Sequence, residues 1–211
     1  MRRSLIIALL ALAGCQSPYL SMMESAGIPK REILAHRVED ARDAQIKARY
    51  QFNRTLEHYR QVEALSGADL ESAVNDLERD YQASEKAAAA VAPRVDQVQV
   101  VAEALFDDWE SELKDYHTQS LRDASAAQLQ ATRAQYQDLL TKMRSAQSHV
   151  LPALDALNDQ LLFYRHQANA RTISGLDAGY STVSGTVQPL LTDMQRSIDG
   201  AQGLIQRLQG Q

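Results

Sequence analysis

From residue 30 onward one pattern repeats: apolar residues recur at alternating steps of four and three. That spacing keeps them on one face of a helix that packs against other helices. The first segment carries Leu34, Val38, Ala41, Gln45, Ala48, Phe52, Thr55, Tyr59 and Val62 in this register. A break follows at Ser66-Gly67-Ala68-Asp69, where Gly67 suits a left-handed turn and Asp69 is expected to cap the next helix. The second stripe runs from Leu70 through Leu77, Ala88, Val95 and Ala102 to Trp109 and Tyr116. The third runs from Leu129 through Tyr136, Met143 and Leu157 to Tyr164, widened by Leu140, Leu151, Leu154 and Leu161. The fourth runs from Leu176 through Val187 and Met194 to Leu208, in the stretch richest in glycine and holding Pro189. Ser120-x-x-Asp123, Ser125-x-x-Gln128 and Ser174-x-x-Asp177 have the spacing of capping boxes at helix starts.

Composition supports the same class. The chain holds 31 Ala and 21 Gln against 14 Gly or Pro and 12 aromatic residues. Ala and Gln lose little freedom in a helix, whereas sheets favour branched and aromatic side chains. The expectation is an all-α fold: an elongated antiparallel four-helix bundle, coiled-coil-like, with two long central helices forming a protruding hairpin. Segments of roughly 36, 50, 50 and 37 residues would span about 54, 75, 75 and 55 Å. The hairpin between the second and third helices then overhangs the four-helix body by about 13 residues, or roughly 20 Å, at the end where the first helix begins. Folded about residue 120, Pro93 and Pro152 fall at nearly one level. Each removes a helical hydrogen bond, so both long helices should bend or break there.

The first residues read as an address. Arg2 and Arg3 precede an apolar run, Leu5 to Ala13, too short to span a bilayer. It ends in Leu12-Ala13-Gly14-Cys15, similar to the lipobox of bacterial lipoproteins, in which the cysteine is acylated and becomes the N-terminus. The expected organisation is a signal peptide over 1–14, a lipidated N-terminus and flexible tether over 15–29, and one helical domain over 30–211. Cys15 is the only cysteine, which leaves no disulfide scaffold and no Cys-rich zinc site. Multiple acyl chains suffice for stable anchoring. Gln16 rather than Asp after the cysteine suggests the outer membrane. Removing Arg2 and Arg3 takes 22 basic residues to 20 against 27 acidic ones, a net charge of −7. Such a body suits neither nucleic acid nor an anionic lipid surface.

Several stretches carry a family likeness: His36-Arg37-Val38-Glu39-Asp40-Ala41-Arg42-Asp43-Ala44-Gln45, Val101-Ala102-Glu103-Ala104-Leu105-Phe106-Asp107-Asp108-Trp109-Glu110, Met143-Arg144 and Asn169-Ala170-Arg171. Together with the lipobox they resemble an uncharacterised family of bacterial lipoproteins catalogued as a domain of unknown function. The resemblance implies an envelope lipoprotein with a long helical body. It carries over no catalytic or ligand-binding residues.

Candidate chemistry is sparse. His36, His58, His117, His149 and His166 never pair at helical spacing, and no HExxH, GxSxG, phosphate-binding or dinucleotide-binding pattern occurs. No metal, cofactor or catalytic residue is expected. Glu103, Asp107, Asp108, Glu110, Glu112 and Asp115 either form a solvated helix face or attract a cation or basic partner. Phe106, Trp109, Leu113 and Tyr116 lie where only two helices are available to cover them. Folding about residue 120 sets Trp109 opposite Thr132 and Tyr116 opposite Ser125. The four either fill the gaps left by small residues or form a patch for a partner protein, since Trp and Tyr are favoured anchors. At the far end, Tyr59, Tyr81, Tyr164 and Tyr180 are expected within about two turns of one another, packing the core or lining a pocket.

The reading is a membrane-anchored, non-catalytic interaction or scaffold lipoprotein facing the periplasm, held to the bilayer through acylated Cys15 and bound to an envelope protein. A regulatory lipoprotein that activates an envelope enzyme or assembly complex is the alternative, and an enzyme in its own right the third possibility.

Overall fold

A computed structural model describes residues 27–63, 65–170 and 179–210, without the side chains of 169 and 170. Cys15, the signal segment, most of the tether and the Ser174-x-x-Asp177 box lie outside the described residues. Among those described, every regular element is helical: α1 (Lys30–Val62), α2 (Gly67–Ala89), α3 (Ala92–Glu112), a short 3-10 turn (Leu113–Asp115), α4 (Gln119–Ser148), α5 (Val150–Ala170) and α6 (Gly179–Gln209).

These helices form four antiparallel rods. The α1 rod packs on α2/α3 and on α6, and α4/α5 packs on both of the same neighbours. The stripe is the glue. All nine named positions of the first segment are buried, including Gln45 and Thr55. On α6, Val183, Val187, Leu190, Met194, Ser197, Ala201, Leu204 and Leu208 are buried in the same register.

The two expected 50-residue helices are each broken once, and the prolines explain where. A proline ring clashes with the carbonyl four residues earlier and has no N–H to offer it. Pro93 therefore ends α2 at Ala89, and Pro152 ends α4 at Ser148, each four residues upstream. Backbone bonds tighten at both breaks: Val91 N–H donates to Ala88 and His149 N–H to Ala146, three residues back. The Ser145 hydroxyl donates to Asp193 of α6 at 2.6 Å, and the His149 ring lies 3.2 Å from the same carboxylate. The α4/α5 break is thereby pinned to the fourth rod.

Four details depart from the expectation. Gly67 is left-handed (φ +59°) but opens α2, so Asp69 sits inside the first turn and caps nothing. Helix α4 starts at Gln119 after Thr118, so neither Ser120-x-x-Asp123 nor Ser125-x-x-Gln128 acts as a capping box. Asp123 instead accepts a bond from Gln119. Leu151 does not widen the core: it is 69% exposed, because the break before Val150 turns it outward. Trp109 faces Ser125 rather than Thr132.

The hairpin protrudes past the four-rod body as expected, and farther, by about 28 Å rather than about 20 Å. Gln209 on α6 reaches Glu39 at 3.4 Å, so the fourth rod stops about two and a half turns short of Lys30. Lys30 pairs with Asp108 of α3. The stretch from Trp109 to Thr118 lies past that level, about 15 Å of hairpin with two rods, its base flanked by residues 27–29.

Candidate partner-binding site at the hairpin tip

Along α3 the stripe loses cover step by step. Val101, Ala102 and Phe106 are buried, while Leu105, Trp109, Leu113 and Tyr116 are half-buried. Phe106 packs against α4: its ring lies 5.5 Å from Tyr136, and the Arg133 guanidinium sits 5.0 Å over it. Arg133 also pairs with Glu110 at 2.5 Å. Of the four aromatic or apolar residues singled out by sequence, Phe106 is thus a packing residue of the hairpin stem. The other three keep partial exposure.

Trp109 crosses to the opposite arm, its indole N–H donating to Ser125 Oγ at 2.8 Å. The bond fixes the ring and leaves part of its face outward. Past Glu112 the helix tightens into the 3-10 turn, and Tyr116 adopts an extended backbone (ψ 122°) that turns the chain. Arg122 of α4 locks this turn by donating to the Tyr116 carbonyl at 2.7 Å. Leu121, which the stripe did not include, is 57% exposed beside it. Its isolation from the heptad register is why sequence reasoning passed it over.

The end of the expected tether enters this region. Gly27, Ile28 and Pro29 line a cleft of about 500 Å³ with Lys30, Leu105 and Trp109. Gly27 is left-handed (φ +80°), a conformation open to a residue without a side chain.

The acidic stretch is partly spoken for. Asp108 pairs with Lys30, Glu110 with Arg133, and Glu103 accepts from Gln99 at 2.8 Å. Asp107, Glu112 and Asp115 are exposed. Among the described residues no group of three or more His, Cys, Asp or Glu side chains is placed to hold a metal ion. His36 pairs with Glu39, His58 with Asp80 and His149 with Asp193, in three separate places.

At the far end the tyrosines pack. Tyr59 is buried and its hydroxyl donates to the Leu157 carbonyl at 2.6 Å. Its ring lies 6.2 Å from that of Tyr164, and Thr55 and Ser84 share a hydrogen bond of 2.9 Å nearby. Tyr81 and Tyr180 are half-buried around them. Burial raises the Tyr59 and Tyr164 phenols above their ordinary range. This cluster reads as core.

Residues 19–208 match a family model described as a protein of unknown function, DUF2959. No curated protein and no solved structure matches the chain.

Proposed function

We propose, for a chain that belongs to the DUF2959 family, that it is a lipid-anchored envelope protein without catalytic activity that presents its hairpin tip to a partner protein. One observation carries the reading. The apolar stripe continues beyond the four-rod body into a two-rod hairpin, leaving Trp109, Leu113 and Tyr116 half-covered with Leu121 exposed beside them. Apolar surface rimmed by charge is what a docking partner covers. The exposed acidic residues Asp107, Glu112 and Asp115 oppose docking on anionic lipid and favour a protein with basic residues around an apolar centre.

The anchor supports the orientation. Helix α1 begins at the tip end of the molecule, so acylation at Cys15 ties that end to the bilayer. The chain from Cys15 to Ala26 spans at most about 40 Å even fully extended. The tip is thereby confined to the membrane-proximal layer, where its partner is to be sought; the acidic leading face keeps it from lying flat on the lipid.

The test has two arms. Metabolic labelling with a fatty acid and sedimentation with membranes should both be lost in Cys15→Ser, and an unlabelled wild-type chain would end the anchoring claim. A soluble chain starting at Ser17, used to capture partners from envelope extracts, should retain one stoichiometric protein. If that partner is an enzyme whose turnover rises on binding, the role is regulatory rather than scaffolding. Turnover by the chain alone would overturn the non-catalytic reading.

A further inference from the structure

The two helix breaks meet at one level, and between them lies a cavity of about 520 Å³. Its buried wall is apolar: Ala88, Val91, Ala146, Leu154 and Met194. Its exposed mouth carries Glu85, Asp96 and Leu151. The volume is in the range of small-molecule sites, about 300–1,000 Å³. The prolines create the space, because unbroken helices would carry the stripe straight past this level.

Gln45 of α1 also lines this cavity, and it is a polar anomaly in the core. It occupies a heptad position between Ala41 and Ala48, is 0% exposed, and neither its amide nitrogen nor its amide oxygen has a hydrogen-bond partner among the described residues. Buried polar groups farther along α1 are paired: Thr55 bonds Ser84, and Tyr59 bonds Leu157. A buried polar group left unpaired costs about 1–3 kcal/mol, and a leucine would fill the position without that cost. A primary amide offers two donors and an acceptor, so its complement is another neutral group with both functions. The glutamates and aspartates decide the rest. Glu85 and Asp96 at the mouth repel an anion, and among the described residues no cation lines the cavity.

We propose that this cavity binds a small neutral amphiphile, its amide or hydroxyl paired with Gln45 and its apolar body against the two helix breaks. Ser197 of α6 sits near the same level, since Arg42 bonds Gln202 and Arg49 bonds the Leu191 carbonyl on either side of it. Its hydroxyl is likewise buried without a partner. A direct Gln45–Ser197 bond is therefore the competing explanation.

The probes are octanamide and octanoate, titrated into the full chain at pH 7 and followed by saturation-transfer NMR and by thermal shift. Octanamide should bind and raise the melting temperature, and octanoate should bind at least tenfold more weakly. Gln45→Leu puts an apolar side chain of similar size at this core position and should stay folded while losing about tenfold in octanamide affinity. Glu85→Gln with Asp96→Asn, both on the surface, should bring octanoate towards octanamide. No octanamide binding to the wild type, equal affinity for the two probes, or unchanged octanamide affinity in Gln45→Leu would overturn the proposal. So would a loss of stability in Ser197→Ala that vanishes in the Gln45→Leu background, since that coupling marks a pair already satisfied within the protein.

Discussion

Stability should be graded along the molecule, high in the four-rod body and low at the tip, and two leucines measure the gradient with identical chemistry. Leu77 on α2 is 0% exposed, enclosed by α1 and α5. Truncation to alanine removes the transfer free energy of its side chain and leaves a cavity that four rods cannot close, about 3–4 kcal/mol in all. Leu113 is half-buried on the 3-10 turn, with only α3 and α4 beside it. Its truncation loses about two-thirds or more of a leucine's burial but opens no enclosed void, about 1.5 kcal/mol. For a domain of this size each kcal/mol moves the melting temperature by about 3 °C. Leu77→Ala should therefore melt about 10 °C below wild type and Leu113→Ala about 5 °C below. Circular dichroism at 222 nm on the chain starting at Ser17, checked by urea unfolding, reads both. Equal losses, or a larger loss for Leu113→Ala, would refute the gradient and make the hairpin tip a structural element in its own right.

Two further outcomes follow from charges in the body. Burial pushes the Tyr136 phenol up to about 12, above its ordinary value near 10. The unfolded chain therefore loses that proton first, so stability is full below pH 10 and falls between pH 10 and 12. Tyr136→Phe should flatten the fall in a pH series of urea midpoints. The Asp193 carboxyl is held below its ordinary value by the Ser145 hydroxyl first, with His149 and Arg196 assisting. Its contribution is present above pH 4 and lost as pH drops through the folded value. Ser145→Ala should shrink that acid-side loss, and an unchanged acid limb would remove Asp193 as the pin of the α4/α5 break.

What the sequence revealed and what it hid divide along one physical line. Heptad spacing is a local property, so the stripe from Leu34 to Val62 could be read residue by residue, and every position proved buried. The prolines were equally legible, because a clash four residues upstream needs no tertiary information and both helices end there. Capping boxes failed for the opposite reason. The spacing of Ser125 and Gln128 points to a bond within one helix, but the indole N–H of Trp109 claims Ser125 from the other arm. Periodicity places Leu151 in the core only if it is carried through the break, which resets the phase. The Gln45 cavity had no local signature at all: its walls come from all four rods, and in the sequence Gln45 was one more member of a stripe.

The central claim is that the hairpin tip, not the body, is the docking surface. The direct measurement compares binding of the captured envelope partner to the wild-type chain, to Trp109→Ala/Tyr116→Ala, and to Leu77→Ala held below its own melting temperature. A tip built as described loses at least tenfold in affinity in the double variant, while Leu77→Ala binds as the wild type does despite its lower stability. Binding retained by the tip variant and lost with Leu77→Ala would contradict the account and place the docking surface on the four-rod body.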